Sequence, residues 1–597
     1  MKGMKRKIAW LLVSSLMVAV LLASCAPAAP TPAPTPTPTP APMPKPAPPE
    51  KEAVAPVAEG PKYGGVFTGI LSTPVVGFDD AYTFPTNIYV THLTNEELLT
   101  GDWAKGPTGS HQASFLIRGT FFPEIERGCL AESWEIPDSE TIIYRIRKGV
   151  RFQDRPPVNG REMTADDVVF SIKRIFTTPA SYLATTWGRY FKSVTAPDKG
   201  TVVVKAAPGN AGTLFPGTAE YIKIVPREVI DKYGNMRDWQ NVIGTGPFIL
   251  KDYVSDSSAT LVKNPNYWDN DPLHPQNRLP YLDGVKWLII QDTSTQQAAL
   301  RTAKVDWHTG VAWEEMETLR KTNPEAKSSR ILQAAHLNIV WMRTDRRELP
   351  FGDIRVRRAL NVAIDKKAIK DSYYGGNAEL FTTPVAPYPE LMHLFTPLEK
   401  LPESVQELYQ YNPEKAKQLL AEAGYPRGFK AEMLCSTAQV DRVAIVKDYW
   451  ARIGVDLTID AKEYTVYNSI INARTHKQMV YAYLASVAPF WFLSWLPTTF
   501  QNWSMINDQR INQTYDVIMA NLILNQPKAD QALKEIIPYI LEQAWYVELP
   551  APYTYTVWHP WVKGYNGEWT VGYSQPYNFP TYVWLDRDLR EKMIGKR

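Results

Sequence analysis

From Gly64 onward the chain interleaves short runs of β-branched and aromatic residues with stretches whose apolar positions recur at helical spacing. Gly64–Leu71 predicts a first strand, and Thr141–Arg147, dense in β-branched side chains, predicts a second. Lys148–Phe152 predicts a turn and another short strand. Thr201–Lys205, the turn and strand of Ile243–Leu250, Trp287–Ile290 and Leu337–Met342 follow. The first clear helix starts at Thr164, its N-cap, with Asp167 at the third position and Val168, Val169, Ile172, Ile175 and Phe176 on one face. Asp166 and Asp167 invite a catalytic reading, but carboxylates in a first helical turn are explained by the positive end of the helix. Thr295–Ala303 predicts a short helix, and Asp353 caps another that carries Val356, Ala359, Leu360, Ala363 and Ile364 inward. In Asn412–Gly424 the cap is Asn412, Pro413 opens the first turn, Ala416, Leu419, Leu420 and Ala423 face inward, and Gly424 closes the helix. Asp441–Ile453 is a helix ended by Gly454, and Val455, Leu457 and Ile459 then alternate as in a strand. The order of elements is that of an α/β protein. No repeat at solenoid period is present.

The N-terminus follows a different pattern. Lys2, Lys5, Arg6 and Lys7 precede an apolar run, Ile8–Ala23, that ends in Leu22-Ala23-Ser24-Cys25. This has the layout of a secretory signal with a small-residue cleavage site, and the last four residues resemble the lipobox of bacterial lipoproteins, whose new N-terminal cysteine is acylated. The expectation is a signal peptide over 1–24, a lipidated Cys25 and a body tethered to a membrane surface. Ala26–Pro49 is rich in proline interleaved with Ala and Thr, without the apolar bulk for a core, so it stays extended. At about 3.1 Å per residue it reaches roughly 70 Å. The linker is expected over 25–61 and the folded body from near Lys62.

Composition narrows the function classes. The chain has 597 residues, a formal net charge of +3 and 44% hydrophobic residues. Its length suits two to four domains. Loss of four basic residues with the signal leaves the body near −1, without the basic footprint that nucleic acid requires. Nineteen Trp and 31 Tyr form an aromatic excess that core packing or a stacking pocket would use. Cys129 and Cys435, far apart in sequence, are expected to be unpaired and buried. Histidines form no H-x-x-x-H or H-E-x-x-H pair, and C-x-x-C, P-loop, G-x-G-x-x-G and G-x-S-x-G motifs are absent. No catalytic residue, cofactor or metal site is therefore expected. A secreted hydrolase and a sensor or adhesin are the weaker alternatives.

Several segments together resemble the family 5 extracellular solute-binding proteins, the oligopeptide and dipeptide receptors of ABC importers. They are Leu130-Ala131-Glu132-Ser133-Trp134, Tyr144–Phe152 and Met163–Ser171, then Gly244-Thr245-Gly246-Pro247-Phe248, Asn264–Trp268 and Tyr281–Val285. Asp353–Leu360 with Ala363-Ile364-Asp365, Ala416–Tyr425 and Val562–Tyr565 complete the series. The resemblance runs over nearly all of Lys62–Asp586. It implies an α/β, two-lobed periplasmic-binding-protein-like fold of type II with an extra inserted subdomain, and a hinge between lobes. Lobe 1 would hold 62–330 and 547–597, lobe 2 would hold 331–546, and the inserted subdomain would span about 100–196. The implied role is a monomeric, extracytoplasmic receptor that encloses a small solute by lobe closure and delivers it to ABC permease subunits. Most of the shared segments read as scaffold, Tyr267 and Trp268 included.

Two departures bear on the ligand. Peptide receptors of the family often read Trp-x-x-Asp-Tyr-x-Asp-Pro in a late segment whose acidic residue pairs with the peptide ammonium. The corresponding Tyr481–Trp495 contains no carboxylate, and an enclosed ammonium without a counter-charge is poorly compensated. The same region carries Tyr483, Phe490, Trp491, Trp495 and, just beyond, Trp503, which would either stack on a ligand or fill the core of the second lobe. Second, Arg343 stands near the crossing between lobes, where the family often has Asn. It would hold a solute carboxylate, pair with Asp345 or face solvent. Peptide is the family default for the solute, with an oligosaccharide or other non-peptide solute as the alternative.

Overall fold

The computed structural model describes residues 60–83, 89–117, 122–332, 339–483, 494–497, 499, 501–572 and 575–596. The chain divides into Met1–Glu59, which lies outside the described residues together with Cys25, and Gly60–Arg597.

Two principal sheets organise the second unit. The larger has the order Lys327–Leu332, Ala551–Trp558, Trp307–Val311, Val66–Leu71, Gly284–Ile289, Ser258–Lys263 and Phe248–Val254, with Ala378–Glu379 paired to Ala551–Trp558. At its centre Val66–Leu71 runs parallel to Gly284–Ile289, pairing Val66 with Gly284 and Leu71 with Ile289. A side chain at Gly69 would lie 2.3 Å from the ring of Trp287, so only glycine lets that indole cross the strand. The smaller sheet has the order Asp456–Lys462, Lys430–Ser436, Met479–Ala482, Ile339–Met342 and Tyr546–Glu548. Ile339–Met342 is buried at all four positions, as a continuous apolar run in a strand covered on both faces should be.

A third, four-stranded sheet, Ala131–Asp138, Thr141–Ile146, Thr201–Ala206 and Phe191–Asp198, packs against the helix Ala165–Thr177 around Ile142, Tyr144, Val168, Ile172, Val202 and Val204. The helix begins as its sequence requires: the Asp167 carboxylate accepts the Thr164 backbone N–H at 2.9 Å. Asn412 likewise caps Pro413–Glu422 by accepting from the Lys415 N–H at 2.9 Å, and Gly424 takes a positive φ just past the end. Two local expectations are corrected. The helix expected from Thr295 starts at Thr293, because Asp292 caps it through the Thr295 N–H at 2.8 Å. In Lys148–Phe152 the expected strand shrinks to one bridge, Arg151 to Glu162.

The chain passes between the two principal sheets four times, since Ala378–Glu379, between Ile339–Met342 and Lys430–Ser436 of the smaller sheet, pairs with Ala551–Trp558 of the larger. The first passage leaves the larger sheet at Leu332 and enters the smaller at Ile339, and the last leaves the smaller at Glu548 and re-enters the larger at Ala551. Leu332 pairs with Tyr553 on one side and Ile339 with Glu548 on the other, so the first and last passages leave and enter the two sheets at neighbouring points. Cys129 and Cys435 are free and buried. Among the described residues no helix is long and apolar enough to cross a membrane.

Candidate functional site

The surfaces that the two principal sheets turn toward one another meet along a seam. A strap, Ala113–Ile117, crosses it. The Phe115 carbonyl accepts the backbone N–H groups of Trp569 and Thr570 at 2.9 and 3.1 Å, and its ring is buried in the core of the larger sheet. Two residues on, Ile117 is buried in the cluster around the smaller sheet. Between them Ser114 donates its backbone N–H to Glu390 Oε1 and its hydroxyl to Glu390 Oε2, the latter at 2.9 Å. Farther along, the Thr213 hydroxyl donates to the Met519 carbonyl at 3.2 Å, joining the helix Ala211–Glu220 to Gln509–Asn521. The Tyr182 hydroxyl lies near those of Tyr221 and Tyr483; burial, and then the proximity of Tyr221, raise its pKa.

The smaller sheet's side of the seam is aromatic. Trp341 packs against Trp495, Trp503 and Tyr546 with ring centroids 6.2, 5.8 and 5.4 Å apart. Trp495 and Trp503 are fully enclosed, and the Trp503 indole N–H donates to the Ile471 carbonyl at 3.0 Å. Tyr483 is half-buried and meets Trp503 edge to face at 5.1 Å. Of the five aromatic candidates, Tyr483 thus has an outer surface, Trp495 and Trp503 back it from inside the core, and Phe490 and Trp491 lie outside the described residues.

Arg343 forks onto Asp345 at 3.0 and 2.6 Å and donates its remaining nitrogen to the His476 carbonyl at 2.9 Å. The Arg343 guanidinium holds the Asp345 carboxyl below its ordinary range. Burial, with Arg343 adding to it, pushes His476 down to about 4. That ring is therefore neutral, and its Nε2–H donates to the Trp503 carbonyl at 2.9 Å. Arg343 also borders a cleft of about 400 Å³ with Arg474, Pro497, Asn502 and Met505.

The larger sheet's side carries buried charge that the sequence pattern did not single out. Asp79 is held by Arg174 through two bonds of 2.8 and 2.6 Å. Lys223 sits 3.0 Å from Glu97 and 3.8 Å from Asp80. Glu96 accepts from the Tyr267 hydroxyl at 2.9 Å and the Trp268 indole at 3.0 Å. Tyr267 and Trp268 thus serve the scaffold. Burial drives the Glu96 carboxyl up to about 7 and Asp80 up to about 6, against the hydrogen bonds and the lysine that favour their charged forms. The readable signal was Lys223 inside the otherwise apolar run Tyr221–Val225; Glu96-Glu97 follow Thr94 and Asn95 in a polar stretch that carries no local mark of burial.

Comparison with known proteins places this architecture. The bacterial extracellular solute-binding proteins, family 5 (middle region), match residues 127–505, more than half of the chain. Heme-binding protein A of Haemophilus influenzae is 30% identical over 393 residues, covering 59% of this chain and 68% of that protein. The dipeptide-binding protein of Escherichia coli is 28% identical over 369 residues, covering 57% of this chain and 64% of that protein, so the match spans somewhat under two thirds of its length. In fold, the chain is similar to the periplasmic binding protein DppA of Helicobacter pylori in complex with the peptide STSA. The TM-score is 0.68 at 24% identity, over 88% of this chain and 99% of that one. The arrangement of sheets, the passages of the chain between them and the sequence match agree: this chain belongs to the family 5 bacterial extracellular solute-binding proteins, a family of binding receptors and not of enzymes.

Proposed function

We propose that this receptor encloses its solute in the seam between the two principal sheets and delivers it to an ABC importer. The observation that carries the reading is the pair of adjacent strand passages, Leu332 to Ile339 and Glu548 to Ala551. Connections that leave and enter the two sheets at neighbouring points can serve as a hinge, and a ligand shifts a hinge only through better binding to the closed form. On this reading 62–330 and 547–597 form the body of one lobe and 331–546 that of the other, except that Ile331, Leu332, Ala378 and Glu379 belong to the larger sheet and Val547 and Glu548 to the smaller, and the four-stranded sheet rides on the first lobe. Cys25, acylated after removal of 1–24, tethers the receptor beside its permease and raises its effective concentration there.

The solute is taken to be a peptide. Relatives bind a dipeptide and heme, and a solved relative holds a peptide. The oligosaccharide alternative rests on stacking, and two of its five aromatic residues, Trp495 and Trp503, present no face to a ligand in this conformation. Native mass spectra of the chain purified from a bacterial host, before and after denaturation, test the assignment. A released peptide ladder is expected. A released sugar or other non-peptide solute retires the peptide assignment. If no solute is released, and di- to octapeptides then leave the melting temperature unmoved, the peptide assignment is refuted.

A further inference from the structure

Three of the four passages between the principal sheets converge on Glu548. It is the last residue of Tyr546–Glu548 before the chain leaves for Ala551, and it stands opposite Ile339, where the first passage enters the smaller sheet. The passage that leaves the larger sheet at Glu379 arrives, directly after Leu380-Phe381, at Thr382 and Thr383, and the Glu548 carboxylate holds both. One oxygen accepts the Thr382 backbone N–H at 2.9 Å and the Thr382 hydroxyl at 2.8 Å. The other accepts the Thr383 hydroxyl at 2.7 Å and the Tyr409 hydroxyl. These donors fill the lone-pair sites of a carboxylate, so Glu548, 1% exposed, is compensated where it is buried. Lys366, with its ammonium 4.0 Å over the Tyr409 ring, adds its attraction to the same carboxylate.

The far ends of these connections are pinned too. Ala378 pairs with Pro552 and Glu379 with Ala551. The Glu379 carboxylate accepts the Tyr553 hydroxyl, and the Asn377 carbonyl accepts the Tyr553 N–H at 2.9 Å. Between the two fastenings lie Leu380-Phe381 and Leu549-Pro550, both outside any strand. Phe381 leans toward the smaller sheet's side, its ring 5.3 Å from that of Tyr409 and 6.0 Å from that of Phe395. Pro550 has no N–H with which to continue a ladder. Short stretches between fixed ends are what a hinge requires, because the backbone rotation then falls on a few residues and the lobes move as bodies. The fastening also reaches the aromatic wall: the Tyr546 hydroxyl donates to that of Thr383 at 3.1 Å, and the Tyr546 ring packs on Trp341, which meets Trp503 behind Tyr483.

We infer that Glu548 is the positioning residue of the hinge: its carboxylate fastens two neighbouring passages to the smaller sheet and confines the bending of lobe closure to Leu380-Phe381 and Leu549-Pro550. The inference rests on the receptor reading above. With the fastening loosened, the free stretch after Glu379 grows from Leu380-Phe381 to Leu380–Thr383, twice as long. The ends of a flexible connection of doubled length meet about threefold less often, so the seam parts about threefold more often.

The test is hydrogen exchange of backbone amides in the full chain without added solute, read by mass spectrometry of short peptides. The strap Ala113–Ile117, whose Ser114 N–H is held by Glu390 across the seam, reports parting of the lobes. The strands Ile339–Met342 and Met479–Ala482 report unfolding of the smaller sheet. Thr382→Val/Thr383→Val removes both hydroxyls at nearly constant shape, and Thr382→Ser/Thr383→Ser keeps them. Relative to the sheet amides, the strap is expected to exchange about threefold faster in the valine variant and at the wild-type rate in the serine variant. If the valine variant does not fold, Glu548→Gln carries the same comparison, since its neutral amide holds the same partners more weakly than the carboxylate. Strap exchange that rises only in step with the sheet amides would show a bond network that merely stabilises the lobe and would overturn the clamp. A strap unmoved in the valine variant, or moved equally in the serine variant, would overturn it as well, and in each of these cases the receptor reading stands. A wild-type strap that exchanges only together with the sheet amides would show that the lobes do not part, and would remove hinge and clamp together.

Discussion

Glu96 allows the electrostatics of the larger sheet's side to be tested without any ligand. Its carboxyl is enclosed, accepts from Tyr267 and Trp268, and is driven by burial from 4.5 to about 7. At 1.36 kcal/mol per pKa unit this difference is worth about 3 kcal/mol. The folded chain holds the proton more tightly than the unfolded chain. Between pH 4.5 and 7 the folded state therefore binds more protons, and stability falls as pH rises. The cost is absent below pH 4.5 and complete above 7. Glu96→Gln cannot ionise and escapes it. At pH 4.5 the amide still offers one acceptor to Trp268, and the Tyr267 hydroxyl can turn to accept, so the variant loses only ~1 kcal/mol or less.

From pH 4.5 to 7.5 the variant should gain about 3 kcal/mol on wild type and end the more stable of the two. The wild-type curve alone does not decide the matter. His308 and His476, both lowered to about 4 by burial, resist protonation in the fold and contribute stability that rises with pH over the same range. They are common to both chains and cancel in the difference. Urea midpoints of wild type and E96Q at four pH values, compared at equal slope, measure it. An offset between the two chains that does not change with pH would show that the Glu96 carboxyl ionises normally in the fold, and the burial argument would fail.

Trp503→Ala should cost about 3–5 kcal/mol, the scale of an emptied aromatic core site, seen as a lower melting temperature. Tyr483→Ala should instead weaken solute binding in calorimetry with little loss of stability, and the reverse pattern would exchange wall and backing. Arg343→Gln should cost ~1–2 kcal/mol, because Asp345 is partly exposed and screened, and should leave solute affinity unchanged; a large affinity loss would return Arg343 to the binding site. Cys25→Ala should move the protein from the membrane fraction to the soluble one on cell fractionation, and retention with lipid would refute the tether.

What could be read in advance follows from the range of the forces. Thr164 and Asp167, or Asn412 and Lys415, lie three residues apart, and such caps are written in consecutive sequence. The same Asp167 is also gripped by Arg161, which reaches on to Glu228, 67 residues away. No local pattern announces that partner. Glu126 and Glu220 are an extreme case: nothing in either neighbourhood indicates that the two meet. The aromatic residues fail for a different reason. Trp495, Trp503 and Tyr483 have the same chemistry whether they wall a cleft or fill a core, and only their depth separates the roles. Arg343 was equally open between a solute and Asp345 until the fork to Asp345 appeared in the fold.

The strap sets a scale for closure. Opening the seam along Ala113–Ile117 takes Ile117 out of the smaller sheet's cluster and breaks both bonds from Ser114 to Glu390, while Phe115 stays anchored to Trp569 and Thr570. Exposing one isoleucine costs ~2 kcal/mol, and each bond to the half-exposed carboxylate ~1 kcal/mol. The sum, about 4 kcal/mol, corresponds to a factor near a thousand between closed and open forms. This gain is offset by the ordering of the strap and by the partial desolvation of the Glu390 carboxylate. A solute that touches both walls of the seam adds contacts to the closed form alone, and that difference is the quantity a hinge responds to.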